Sequence, residues 1–569
     1  MTLMQWFIFI LIIQVIHGLG TWKLYLKAGR QAWEAFIPVY NGIVLMKIIN
    51  RPWWWFILLF LPIVNLIMFI VVWVETARSF GKNQPVDTFL AVISLGFYNY
   101  YLNYFTNVKH VKDRSINPKS GSGEWTSSIL FAIVAATIVH TYFIQPFTIP
   151  SSSLEKSLLV GDFLFVSKFH YGARIPMTTV GAPMVHDTIP KLGVKSYLFN
   201  DHFEERKTSL ANKLQLPYLR FPGFENIERN DIVVFNQPAD TLLNMNDFHP
   251  DRNYYKPIDK KTNLVKRCVA IAGDSLEVRD GYVYINGKKN ILPDRAKIQF
   301  MSKVQSINYL NDNFIKQLGS TEYYRFYIIS RNKIDRYIQQ NYGLQAIEGD
   351  KNNFLIQVSP SENLRQFINQ YDLKLTGRLI INLTDESFNR LKNDPNIKSI
   401  EKIQSQKGDR NSSVFPHDPN YKWNTDFFGP LYIPEAGKTI NINLDVLPLY
   451  KRAITEYEGN SLKVKGNQIF INDKLTTTYT FKQNYYWMMG DNRNNSIDAR
   501  MWGFVPFDHV VGKPVFIWMS WDGLKPRWER FFTTVSGSGK ATSVFIPFIV
   551  LLFGIFGFNK WRARKKANN

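Results

Sequence analysis

The chain has 569 residues and one cysteine, Cys268, so no internal disulfide and no paired-cysteine zinc site can be built, and the core must be held by packing. Its formal charge is +22 and 15% of its residues are aromatic, with the apolar residues bunched as in a membrane protein that carries a large aqueous part. No finger, helix-turn-helix or aromatic-basic RNA motif accompanies the charge, which argues against nucleic acid and for the anionic surface of a phospholipid bilayer as the partner.

In chain order, Leu3 to Gly20 is almost wholly apolar, with the first basic residue, Lys23, beyond its end, unlike a cleavable leader. Further apolar runs lie at Trp53 to Val74, Thr88 to Phe105 and Ile129 to Phe147, each near the roughly 20 residues that a helix needs to cross hydrocarbon. Asn99 and Asn103 weaken the third. Basic clusters at Lys23, Lys27, Arg30, Lys47, Arg51 and at Lys109, Lys112, Arg114, Lys119 predict two cytoplasmic loops, hence an outside N-terminus and four spans. A last, shorter run from Val544 to Phe558 precedes Lys560, Arg562, Arg564, Lys565 and Lys566, which predicts a fifth span with a cytoplasmic tail; a packed core helix is the competing reading.

Between these spans the sequence is written in short β-like pieces such as Asp231 to Phe235 and Tyr282 to Ile285, bounded by Gly, Asn and Asp. Ser275 to Lys288 echoes Ser461 to Lys474, so two strand-turn-strand segments bracket a more polar stretch, Asn290 to Asn460, that reads as a domain inserted into a β scaffold. Two copies are too few for a solenoid.

Three pieces carry chemistry. Phe147-Thr-Ile-Pro-Ser-Ser-Ser-Leu-Glu-Lys156 puts a serine cluster just after the fourth span; taken alone it is also good turn and helix-cap composition. Leu264-Val-Lys-Arg-Cys-Val-Ala270 holds Lys266 inside an apolar strand, where desolvation lowers an amine's pKa and makes it available as a general base, although a lysine snorkelling from a strand edge is the plainer alternative. Met488 to Pro506 is dense in Asp, Asn and Arg: Arg493 and Ser496 stand where a calcium loop needs a ligand and a glycine, whereas Asp498 and Arg500 can form a charge-assisted pair and Ser496 can orient an amine.

In order and content these pieces, with Arg229 to Phe235 between them, resemble the boxes of the bacterial type I signal peptidases, in a long form similar to that of Bacteroidetes-type bacteria. The resemblance implies Ser153 as nucleophile, Lys266 as general base, Ser151 with the Ser153 backbone N–H as oxyanion hole, Ser496 as the serine hydrogen-bonded to the base, and Asp498 with Arg500 as a supporting pair beside Gly490. It also implies shallow apolar pockets for small residues before the cut bond, walled here by Phe147, Ile149, Pro150, Leu154, Leu158, Leu264 and Val265. No cofactor or metal is implied; signal peptides of exported preproteins and the bilayer are the implied partners, in the bacterial cytoplasmic membrane with the catalytic part outside. Leu154 stands for the usual methionine, Lys156 and Ala272 for common prolines, and Asn494 and Ala499 for an aspartate and a serine.

The expected fold is therefore a mostly β external catalytic domain with a coiled sheet and an inserted lobe, plus transmembrane helices. Its parts are 1–125 (about three membrane helices), 126–148 (the helix leading into the catalytic core), 149–289 and 461–542 (the core), 290–460 (the insert) and 543–569 (last helix and basic tail). Two rival readings remain. Ser153-Leu-Glu-Lys156 satisfies the Ser-x-x-Lys signature of penicillin-recognising enzymes, but Lys438-Thr-Ile440 and Lys374 to Gly377 do not supply the partner motifs; the other is an inactive membrane adaptor that binds signal peptides.

Overall fold

Seven β pieces from the two ends of the region between the second and third long helices join into one antiparallel sheet. In the computed structural model, which describes all residues except 118–120, 203, 239–255, 331–344, 350–352, 359–372 and 568–569, its strands run in the order Ile144–Thr148, Asp162–Ser167, Val510–Asp522, Ile232–Asn236, Asn263–Ala270, Tyr485–Met489 and Val505–Pro506. Neighbours in the sheet come from opposite ends of this region: Asp162 sits opposite Ser520 and Ser167 opposite Lys513, with two register shifts between. Such shifts add local twist, so the sheet coils, as the sequence leads one to expect. Ile232–Asn236 and Tyr485–Met489 are buried at every position, which is why both read as unbroken apolar runs rather than alternating ones.

The internal echo is a structural one. Ser275–Arg279, Tyr282–Ile285 and Lys288–Lys289 form a meander, and so do Leu462–Lys465, Gln468–Ile471 and Lys474–Leu475. In each, an asparagine with positive φ at the second turn, Asn286 or Asn472, accepts through Oδ1 the backbone N–H of the serine that starts the unit, Ser275 at 2.9 Å or Ser461 at 3.0 Å. Turns of this hand need left-handed backbone, which asparagine tolerates.

The insert divides by packing. Its sheet, in the order Gln345–Gly349, Asn353–Val358, Tyr323–Ser330, Lys374–Thr384, Gln299–Ser306, Ile397–Lys402, has its own core of Val304, Ile315, Leu379, Ile381, Leu383 and Leu391. Phe428–Tyr432, by contrast, pairs with Ser275–Arg279, and Leu447, Tyr450 and Ile454 pack in one cluster with Trp487 and Phe504. Residues 428–454 thus belong with the catalytic scaffold, although they fall inside the 290–460 insert expected from composition.

Among the described residues, three helices are long and apolar enough to cross a membrane: Leu3–Lys27, Gly121–Phe143 and Phe545–Arg562. The second and third apolar runs, expected as spans, are each broken. Pro62 and the positive φ of Ile63 separate Trp55–Leu58 from Val64–Ser79, and Leu95 and Gly96, both with positive φ, separate Pro85–Ile93 from Tyr98–Tyr104. Gly96 also packs on Trp73, where a Cβ would meet the indole at 2.6 Å. Asn41, Asn99 and Asn103 are buried in this bundle, and Glu75 is ion-paired with Arg51 at 2.9 Å and Arg114 at 2.6 Å. Lys119, counted in the second basic cluster, lies outside the described residues.

Candidate active site

Chain order places the serine cluster on a tight turn. After Ile144–Thr148 the backbone makes one 3₁₀ turn at Ser152–Leu154, whose apolar residues Ile149, Leu154 and Leu158 sink into a cluster with Leu164, Val166, Ile232 and Val234. That anchoring buries Ser153 (7% exposed) beside the strand Asn263–Ala270, while Ser151 stays exposed.

Lys266 Nζ lies 2.5 Å from Ser153 Oγ, both side chains being buried. Burial, the largest influence, lowers the lysine's pKa from its ordinary value to about 8; Asp498 and Asp491 push it up and Arg500 pushes it down. The amine is therefore partly neutral near neutral pH and adjacent to a hydroxyl whose proton it can accept. Ser151 Oγ is 3.5 Å from Ser153 Oγ.

The 490–500 loop closes the other side. Arg500 makes a two-pronged pair with Asp498, Nε to Oδ1 at 2.9 Å and Nη2 to Oδ2 at 2.8 Å, with both side chains buried, and Gly490 N donates to Asp498 Oδ2 at 3.0 Å. Burial pushes the Asp498 carboxyl up, but Arg500 outweighs it and holds it below the usual range. Gly490 has no room for a side chain, since a Cβ would lie 2.2 Å from Ser496 Oγ and 2.6 Å from the Ser153 carbonyl oxygen. Ser496 is buried in the site, but among the described residues its hydroxyl has no hydrogen-bond partner; the expected bond to Lys266 is not formed, because Oγ is turned against Gly490.

The implied pocket residues separate into groups. Ile149, Leu154 and Leu158, with Phe147 and Val265 against them, share one cluster below the nucleophile. Leu264 does not join it: strand alternation turns it to the opposite face, opposite Phe235 and against the cluster that holds Trp502. Pro150 is exposed. Lys156, the nearer lysine in sequence, turns away from Ser153 and donates to the Gly319 carbonyl of the insert. Its pKa too is lowered by burial, opposed by Glu155 and Glu322, and the side chain is half-buried against the lobe rather than solvated as its polar neighbours suggest.

Two features of the site had no role assigned to them from the sequence, the pairing of Arg267 with Asp491 being the first. Arg267 Nη2 and Nε hold Asp491 at 2.7 and 2.8 Å, with Ser157 Oγ donating to the same carboxylate at 2.7 Å, and burial, the strongest influence on Asp491, is outweighed by Arg267 so that its carboxyl stays below the usual range. The signal was present: Arg267 sits in the same apolar strand as Lys266, and a buried charge needs a partner. The second is Glu322, which comes from the insert and had no local motif. Among the described residues no group of three or more His, Cys, Asp or Glu is arranged to hold a metal.

The signal peptidase, peptidase S26 family matches residues 122–321 and 433–521, more than half of the chain, and both halves of the site fall inside the match. The chain belongs to the signal peptidase S26 family. It is a serine endopeptidase, and the gap between the matched segments lies within the insert. Residues 33–113 match a family of unknown function (DUF5684). Similar proteins include signal peptidase I of Buchnera aphidicola subsp. Schizaphis graminum, 23% identical over 75% of this chain and 86% of that one, and signal peptidase I of Haemophilus influenzae, 21% identical over 74% and 78%. The Rickettsia massiliae protein of the same name is 24% identical over 35% of this chain and 54% of its own.

Proposed function

We propose that this peptidase removes signal peptides from exported preproteins, with Ser153 as nucleophile and Lys266 as its general base. The observation that carries the reading is the 2.5 Å approach of a buried amine to a buried hydroxyl, with the amine's pKa lowered to about 8. In the forward step neutral Lys266 takes the Ser153 proton as Oγ attacks the scissile carbonyl; the resulting ammonium then protonates the leaving amine, and water, deprotonated by the same lysine, releases the acyl group. Ser151 Oγ and the Ser153 backbone N–H receive the oxyanion. Asp498, held by Arg500, keeps Gly490 and Ser496 against the dyad.

Cleavage follows small residues, Ala-x-Ala in pattern: the apolar cluster of Ile149, Leu154 and Leu158, with Phe147 and Val265 against it, supports this reading, since shallow apolar walls reject larger side chains by contact. The protein sits in the bacterial cytoplasmic membrane through its three long apolar helices, with the catalytic sheet on the external side. The penicillin-type reading is disfavoured, since Lys156 bonds the Gly319 carbonyl and not Ser153.

The test is incubation of the purified protein with a preprotein bearing an Ala-x-Ala site, followed by mass analysis of the products. Cleavage after the second alanine, absent from Ser153→Ala and Lys266→Ala, is expected; equal cleavage by either variant would remove that residue from the dyad.

A further inference from the structure

We propose that Glu322, carried by the inserted lobe, is a positioning residue for the reaction, so that the lobe completes the catalytic unit instead of hanging from it. The inference rests on the Ser153/Lys266 reading. The Glu322 carboxylate accepts at Oε1 from Ser152 Oγ and, at 2.7 Å, from Asn495 Nδ2, and at Oε2 from Asn492 Nδ2 at 3.0 Å and Asn382 Nδ2 at 3.3 Å. The donors come from three separate segments. Ser152 precedes the nucleophile, Asn492 also donates its backbone N–H to the Ser153 carbonyl at 3.1 Å, and Asn495 precedes Ser496. One side chain thus ties the turn that carries Oγ to the loop that faces Lys266.

A carboxylate is acceptor-only with about four lone-pair positions, so four neutral donors saturate it, and charge-assisted bonds are roughly twice as strong as neutral ones. The lobe reinforces the tie nearby: Gln299 N donates to Asp491 O at 2.9 Å, Arg493 N to Gln299 O at 3.0 Å, and Asn494 Oδ1 accepts from Met301 N at 2.9 Å. Lys156 and Asn494 are two of the positions where the boxes depart from the family pattern, and both side chains reach the lobe. Glu322 itself is the first residue beyond the matched segment 122–321. A site held this way loses rate when its geometry loosens, since misplacement of about 1 Å can cost as much as 10²-fold.

The experiment uses the full chain in detergent with a preprotein substrate. Glu322→Ala is expected to lower kcat about tenfold or more at unchanged folded fraction, with KM within about twofold of the parent. The pH limb should stay in place, because the charges that bear on Lys266 are Asp498, Arg500 and Asp491. Glu322→Gln, which retains one acceptor oxygen, should recover part of the rate. Asn495→Ala should also lower kcat, and the double variant with Glu322→Ala should lose no more than the worse single one. Asp312→Asn, which breaks the Arg325 pair inside the lobe, should keep the parent kcat. Parent kcat in Glu322→Ala, losses that multiply in the double variant, or an equal loss in Asp312→Asn would each overturn the proposal. Ser153→Ala run alongside separates the failures: if it still cleaves, the dyad reading falls, and if it is dead while Glu322→Ala is fully active, only the role of Glu322 falls.

Discussion

Lys266 and Arg267 are neighbours on one strand and diverge: the amine of the first lies 2.5 Å from Ser153 Oγ, while the guanidinium of the second holds Asp491 at 2.7 Å. Among the described residues the first has no carboxylate in contact and the second is fully paired, which is the division a base and a support require. With its pKa at about 8, the activity kcat/KM should rise with pH and level off above about pH 8, since only the neutral amine accepts a proton. Lys266→Ala should be inactive. Lys266→Arg should be inactive too, because guanidinium stays protonated. A pH profile flat from 6 to 10 (about the span that brackets this pKa) would exclude Lys266 as the titrating base.

Ser153 and Ser151 face each other with their hydroxyl oxygens 3.5 Å apart, but only Ser153 touches the amine. Ser153→Ala should abolish cleavage, whereas Ser151→Ala should retain a slowed reaction, since loss of one oxyanion donor typically costs ~10²–10³ in rate. Single-turnover assays with excess enzyme resolve the two, and equal residual rates would mean that neither is the nucleophile.

Much of this was readable before the structure because buried charge in an apolar strand is conspicuous. Lys266 in Leu264 to Ala270, and the Asp498 and Arg500 pair in a loop between apolar strands, were found for that reason, and they meet the serine turn as the motif order implied. That Leu264 packs on a different cluster from Val265 follows from the alternation of strand faces, which a motif match does not carry, and the turn of Ser496 away from Lys266 is a rotamer that is not written in sequence. Glu322 was invisible since its partners at the site lie about 170 residues away on both sides: 170 to Ser152 and 173 to Asn495. The second and third apolar runs have the composition of spans, but Pro62 and Gly96 break them where hydropathy averages over the break.

Asp491 and Asp498 are buried and paired, and both carboxyls titrate below their ordinary range. A depressed pKa in the folded state contributes stability that is present above the unfolded value, about 3.9, and is lost as pH falls through the folded one. Thermal stability should therefore hold down to about pH 5 and decline below about pH 4. Asp491→Ala leaves Arg267 buried and unpaired and should destabilise by ~3–5 kcal/mol, read as a lower denaturation midpoint. An Asp491→Ala variant as stable as the parent would show that Arg267 finds another partner.

In the membrane region a three-span and a five-span arrangement agree on most of the chain. Removing two consecutive spans leaves every later segment on its side, so both put the N-terminus and the catalytic sheet outside. The N-terminus accords with this: the Met1 ammonium donates to Lys213 O at 3.2 Å and Trp6 Nε1 to Gln215 O at 3.2 Å, both on the catalytic side. They differ over the loop around Lys82, which five spans would place outside. Glu75, one turn before the end of Val64–Ser79, is paired with Arg51 and Arg114, which belong to the two basic loops, and Val111 N donates to Ser79 O at 2.9 Å. Ion pairs and a backbone hydrogen bond across some 30 Å of hydrocarbon are impossible, so this end of the helix lies level with the basic loops, and by the positive-inside rule those loops are expected to face the cytoplasm. A cysteine introduced at Lys82 should be labelled by a membrane-impermeant reagent only after the cytoplasmic side is opened, like one at Ser115. The native Cys268 is fully buried and should not interfere. Labelling at position 82 from the external side of intact cells would restore the five-span arrangement and require the Glu75 pairs to be broken in the membrane.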